Sequence, residues 1–383
     1  MGTRVVIAPD GFKGTVGAAD AARAIADGWL AVEPGADVVL RPMADGGEGT
    51  LEAFAGAFPD ARRMPLRVTG PAGAPVDATW LLLPADEATP GGTGVVELAS
   101  TSGIELLHGD LRGRDASTLG FGQAIRAALD HGVSRLILGI GSSASTDGGI
   151  GALTALGARF TDAYDVSVPP GAAGLDELGK ADLTRLRPAP AGGVLVLTDV
   201  TNPLTGTQGA AAVFGPQKGL DADAVARADA GLSRLAKLLA ADPDAADPDA
   251  ADPDAPGAGA AGGTGFALLA WGARLVGGAA EIAKLTGLRD AVAAADVVVT
   301  GEGSYDRQSA AGKTTGYVAE LARAAGARVA LVAGRIGDDA DTSGLSAVSL
   351  TALAGSAEAA MQDADRWLRA AGETLAREGK DTR

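Results

Sequence analysis

Six stretches of this 383-residue chain are rich in glycine, in acids and hydroxyls, or in both. They are APDGFKGT (8–15), ADGGEGT (44–50), GIGSSASTDGG (139–149), TDVTNP (198–203), GAGAAGG (257–263) and TGEGSYDRQSAAGK (300–313). Glycines let phosphate oxygens approach the backbone, carboxylates hold a hard cation, and lysines offset charge. Phosphoryl transfer asks for that mixture, because it depends on positioning and electrostatic stabilisation more than on covalent chemistry. Asp45, Glu48, Asp147, Asp199, Glu302 and Asp306 are the oxygen donors that could hold magnesium. Any one of them alone reads first as a turn or cap residue. Their concentration in glycine-rich loops shifts the balance toward a site.

Familiar signatures fit these loops only in part. Gly257, Gly259 and Gly262 satisfy the dinucleotide-binding spacing, but they follow a proline-rich stretch rather than a strand. GIGSSA (139–144) does follow an apolar run, and Asp162 lies roughly 20 residues on, where a ribose-binding acid would stand. A nicotinamide-dependent oxidoreductase is therefore a competing reading. Gly312, Lys313 and Thr314 resemble the end of a phosphate-binding P-loop, but Arg307 occupies the position that needs the upstream glycine. Backbone amides at that helix start, with Lys313 beside them, would still favour an anion. After Asp199 the second acid of an aspartyl-phosphate phosphatase is missing, since Thr201 stands in its place.

Composition removes other classes. The formal charge is −16 with no basic cluster, which argues against nucleic-acid binding. There is no cysteine, so disulfides, thiolate zinc sites and cysteine nucleophiles are excluded. His108 reads as a turn residue and His131 as the last residue of a helix, so a histidine-dependent triad is not expected. No run reaches the ~18 apolar residues of a membrane span, and the N-terminus lacks a signal-peptide core, so a cytoplasmic location is the default.

The elements that must position these loops alternate between strand and helix at both ends of the chain. Apolar runs at 4–8, 37–40, 135–139, 194–197, 296–300 and 328–333 read as strands. Helices are expected at 15–30, 118–131, 221–239, 262–277, 312–325 and 357–371. Around 66–83 the alternation breaks into two antiparallel strands about GPAGAP. The expectation is an α/β protein: a Rossmann-like parallel-sheet domain built from both termini (1–62 and 287–383), with a second α/β domain inserted (63–286). Three copies of ADPDA form an acidic insertion at 241–256, which reads as disordered because proline recurs every five residues and the aspartates repel.

With the loops in hand, the sequence resembles the glycerate kinase family over nearly its whole length. ADGGEGT, DVTNPLTGTQGAAAVFGPQKG and GAGAAGG carry the resemblance, in the family's order and approximate spacing. It implies ATP-dependent phosphorylation of glycerate, with 2-phosphoglycerate the favoured product, magnesium as cofactor and a site in an interdomain cleft. Lys13 would neutralise the substrate carboxylate or transferring phosphate. Asp45, Glu48 and Asp147 would bind substrate. Asp199 would act as general base beside Asn202, and Glu302 and Asp306 would organise magnesium. Gly257, Gly259, Gly262, Gly263 and Lys313 would approach the nucleotide. Departures include Ser304, where the family commonly has arginine, and Thr146, where asparagine is more usual. A hydroxy-acid sensor is the non-catalytic alternative. A homodimer is left open, and neither nucleic acid nor membrane is an expected partner.

Overall fold

The computed structural model describes residues 2–241, 251–307 and 314–381. In chain order the strands are β1 (Arg4–Ile7), β2 (Asp37–Leu40), β3 (Arg62–Thr69), β4 (Pro75–Leu83), β5 (Thr93–Glu97), β6 (Arg135–Gly139), β7 (Arg159–Thr161), β8 (Lys180–Asp182), β9 (Val194–Leu197), β10 (Arg274–Val276), β11 (Val297–Tyr305), β12 (Arg328–Ile336) and β13 (Ser346–Ser349). Two compact units result. One comprises Met1–Asp45, Glu52–Pro59 and Ala279–Arg383, and the other Gly46–Leu51 and Asp60–Gly278.

The first unit is a five-stranded parallel sheet in the order β13-β12-β11-β1-β2. Its inner strands are β-branched runs such as Val5-Val6-Ile7 and Val297-Val298-Val299, buried on both faces, as a helix-covered parallel sheet requires. The helix Ala18–Val32 turns Ala21, Ala22, Ile25 and Trp29 into the core. It lies against the helix Ala364–Asp381 at very short range. A Cβ on Gly28 would come within 1.9 Å of the Arg369 carbonyl oxygen.

The second unit carries a mixed six-stranded sheet, β10-β9-β6-β5-β4-β3. β5, β6, β9 and β10 run parallel, and the β3–β4 hairpin closes one edge antiparallel. Its core gathers Phe121, Ile125, Leu136, Leu138, Leu232, Phe266 and Trp271. The α/β class expected from the sequence is the architecture observed.

Several local readings change. The helix expected over 262–277 is Ala260–Ala270, and Gly272, at φ 89°, ends it so that β10 can form. TGEGSYD is not a loop, because β11 continues through it and pairs with β12 from Val297 to Tyr305. Residues 242–250 of the acidic insertion lie outside the described residues. Its ends are ordered: Ala241 closes the helix Ala222–Ala241, Ala251 is buried, and the Pro253 carbonyl accepts from Leu204 N–H at 2.8 Å.

Candidate active site

In the first unit the strand order reverses between β1 and β11, since the chain builds toward β2 on one side and toward β13 on the other. Ligands of open α/β sheets bind outside the carboxyl ends of the strands at such a point. Asp10 stands there, three residues beyond β1. Its N–H donates to the Gly301 carbonyl at 2.8 Å, and its own Oδ1 accepts from Gly11 N–H at 2.7 Å. Burial pushes the Asp10 carboxyl up to about 7, and the negative charges of Asp45 and Glu302 add to the effect. The Gly11 N–H and the nearby Thr314 hydroxyl pull the other way. The fold thus brings together Asp45 and Glu302, two of the expected residues, around an acid that sequence reasoning passed over.

Lys13 is exposed on the same loop, and a Cβ on Gly303 would lie 3.4 Å from its backbone nitrogen. Asp306 follows the end of β11, half-buried. Lys313 lies outside the described residues. A separate cavity of about 900 Å³ opens at the amino ends of this sheet, lined by Arg4, Trp29, Asp37, Asp296 and Arg328. It holds none of the expected residues.

In the second unit, the loops after β6 and β9 and the segment 46–51 pack backbone against backbone. Gly141 N–H donates to the Gly46 carbonyl at 3.0 Å. A Cβ on Gly139 would reach that carbonyl oxygen at 2.7 Å, and one on Gly141 would reach Gly47 Cα at 2.5 Å. The glycines of GIGSSA are therefore needed for contact with ADGGEG, which places the exposed Glu48 beside this loop. Asp162 is engaged in a local turn rather than a ribose site: its Oδ1 accepts from Tyr164 and Val166 N–H, just after β7. The geometry that suggested a dinucleotide fold is accounted for by packing.

GAGAAGG is explained in the same way. Gly259 N–H donates to the Asn202 carbonyl, and a Cβ there would meet the Pro203 carbonyl oxygen at 2.2 Å. Ala261, Gly262 and Gly263 all have positive φ, and a Cβ on Gly262 would stand 2.2 Å from the Ser145 carbonyl oxygen. A Cβ on Gly257 would meet the Val200 carbonyl oxygen at 3.1 Å. Protein backbone and side chains fill the Cβ directions of all four glycines, so protein contacts by themselves call for glycine here.

Asp199 is exposed at the carboxyl end of β9, and its Oδ1 accepts from Gly278 N–H at 2.7 Å, which fixes its direction. Asn202 Nδ2 donates to the Gln208 carbonyl at 2.8 Å. Asp147 is fully buried. Its Oδ2 accepts from the N–H and hydroxyl of Thr118, both at 2.8 Å, and its Oδ1 accepts from Gly149 N–H. It caps the helix Leu119–His131 and has no open face for substrate, contrary to the expectation.

The glycerate kinase family profile matches residues 5–380. The chain belongs to the glycerate kinase family. It is 40% identical to a glycerate kinase of Bacillus subtilis (strain 168), over 88% of this chain and 86% of that one. It is 38% identical to a glycerate 2-kinase of Escherichia coli (strain K12), again over 88% and 86%. A crystal structure from Salmonella typhimurium LT2, assigned as glycerate kinase 2, superposes with a TM-score of 0.81 at 35% identity. It covers 100% of this chain and 99% of its own. Membership makes the chain a kinase acting on glycerate. Among the described residues no helix is long and apolar enough to cross a membrane.

Three groups at these loops were missed by sequence reasoning. Asp10 sits in PDG, where aspartate looks like a turn former. Glu97, at the end of β5, is buried and accepts from Leu51 N–H at 3.1 Å, so it holds the segment that follows ADGGEG. Lys218, inside GPQKG, is 3% exposed. The signal available for all three was a charged residue inside an otherwise apolar or glycine-rich run.

Proposed function

We propose that the chain transfers the γ-phosphoryl group of ATP to the 2-hydroxyl of glycerate, with magnesium. The observation that carries this reading is the acid cluster at the switch point of the first unit, found in a chain of the glycerate kinase family. Burial first, and then the like charges of Asp45 and Glu302, hold the Asp10 carboxyl protonated into the neutral range. A hard divalent cation relieves that repulsion, and carboxylate oxygens are the donors it prefers. Asp10, Asp45 and Glu302 would hold the ion, with Asp306 beside them. Among the described residues no ready-made group of three acid or imidazole ligands stands at metal-binding distance. Magnesium is commonly held by one or two carboxylates, with phosphate oxygens and water completing its shell. Bound there, it would offset the charge of the transferring group.

The chain's own residues supply the rest. Lys13, exposed on a four-carbon stem, neutralises an anionic oxygen of substrate or phosphate. Asp199, oriented by Gly278 N–H, takes the proton of the attacking hydroxyl. Asn202 and Glu48 orient the substrate. The 2-position is supported by the relative from Escherichia coli, whose description specifies it.

The test is ADP release by the folded protein with each glycerate enantiomer, with and without magnesium. A second cuvette with NAD in place of ATP tests the oxidoreductase reading. Glycerate- and magnesium-dependent ADP formation is expected. Reduction of NAD without ADP formation would overturn the proposal.

A further inference from the structure

Lys218 ends the short 3-10 turn Pro216–Lys218, and its side chain points inward rather than to solvent. Its ammonium donates to Ser143 Oγ at 2.7 Å and to the Ser145 carbonyl at 2.6 Å. Neither acceptor is a carboxylate. The ionised group whose field reaches it is Asp147, and the oxygens of Asp147 are bonded to Thr118 and Gly149. A buried cation resting on neutral acceptors is costly, and an apolar chain of equal length would fill the space without that cost. What the ammonium does hold is the loop after β6. Residues 143–146 follow Ser142, which has φ 58°, and they meet Gly262 of GAGAAGG, while Gly141 just upstream meets ADGGEG. Gly141 bonds Gly46, and the Ser145 carbonyl lies against Gly262.

We infer that Lys218 is a positioning residue for the phosphoryl transfer, its ammonium fixing residues 143–146 so that ADGGEG and GAGAAGG pack in register. This rests on the reading of those loops as parts of the active site. Replacing the lysine by Met keeps the stem and removes the charge. Lys218→Met is expected to lower kcat on the order of 10²-fold, the effect of a small misplacement of reacting groups. Its melting temperature stays at or above that of the parent, because an uncompensated buried charge is gone. A merely structural lysine would lose activity only in proportion to folded protein.

Amide exchange over residues 139–149 gives a readout independent of turnover. Lys218→Met removes the bonds to Ser143 Oγ and the Ser145 carbonyl, so protection of these amides is expected to fall relative to the parent at the same pH. If Lys218→Met does not fold, Lys218→Cys can be aminoethylated before refolding, since the chain has no other cysteine. Turnover restored by the aminoethyl group, relative to unmodified Lys218→Cys, supports the inference. Parental kcat in Lys218→Met, no gain on aminoethylation, or a protection profile unchanged by the substitution overturns it. Absence of glycerate phosphorylation by the parent protein would sink the substrate reading alone, because the exchange comparison still decides what Lys218 holds.

Discussion

The two units solve opposite electrostatic problems. In the first, Asp10 and Asp45, in the loops after β1 and β2, gather like charges with Glu302 of β11, and Gly11 N–H is the fixed counterweight at Asp10. In the second, Lys218 is a single cation buried on neutral oxygens, and the nearest acid, Asp147, is spent on a helix start. The acid cluster is in deficit of positive charge and suits an ion brought by the reaction. The lysine is internally satisfied in geometry and not in charge, which suits holding a loop. Charged residues in equally glycine-rich surroundings can therefore do different work, and burial separates them better than motif does.

The comparison can be broken most sharply at Asp199, the acid that is exposed, oriented and outside both arrangements. Asp199→Asn is expected to lower turnover by roughly 10²–10⁴-fold, the range of a lost general base. Steady-state kinetics with unchanged thermal stability would check it, and parental turnover would remove the base role. Next in size is Gly262→Ala, which forces a Cβ toward the Ser145 carbonyl oxygen at a position with φ 66°. A loss of about 2 kcal/mol or more in denaturant unfolding is expected. A neutral result would mean that the turn can shift and that its fit against residues 145–146 is loose.

The acid cluster is sharpened by pH. The Asp10 carboxyl titrates near 7 in the folded protein against 3.8 unfolded, so the native state holds a proton that the unfolded chain lacks between those values. Stability therefore falls as pH rises from about 4 to about 7, and stays lower above it. Asp10→Asn should be more stable than the parent at pH 8, by something on the order of 2 kcal/mol. Magnesium competes with that proton, so it should raise the parent's melting temperature more at pH 8 than at pH 5.5. In Asp10→Asn this difference should vanish. The smallest effect expected is at Asp162. Asp162→Ala loosens the turn 162–166 by about 1 kcal/mol and leaves catalysis unchanged, whereas a nucleotide-binding role would raise a KM.

Much of the architecture was legible because buried parallel strands are written as apolar runs. Val5-Val6-Ile7, Leu136-Ile137-Leu138 and Val194–Leu197 need no context to be read. β5 was not, since TGVVE ends in a glutamate that is buried and accepts from Leu51 N–H, 46 residues away. TGEGSYD looked like a loop because glycine and acids break the strand pattern, yet pairing with β12 carries it through. The candidate site was legible as a set of loops and not as a set of roles. Asp10 acquires its character from Asp45 and Glu302, which are distant in sequence, and Lys218 from serines more than seventy residues upstream. Asp147 misled for the converse reason: an acid in a glycine-rich loop is also what a helix start requires.

The central claim is tested most directly by identifying the product with ³¹P and ¹³C NMR after incubating the purified protein with ATP, magnesium and labelled glycerate. The account predicts ADP together with a phosphate ester whose carbon coupling places phosphorus on the 2-oxygen. Unchanged glycerate, from a folded sample tested with both enantiomers, would contradict it.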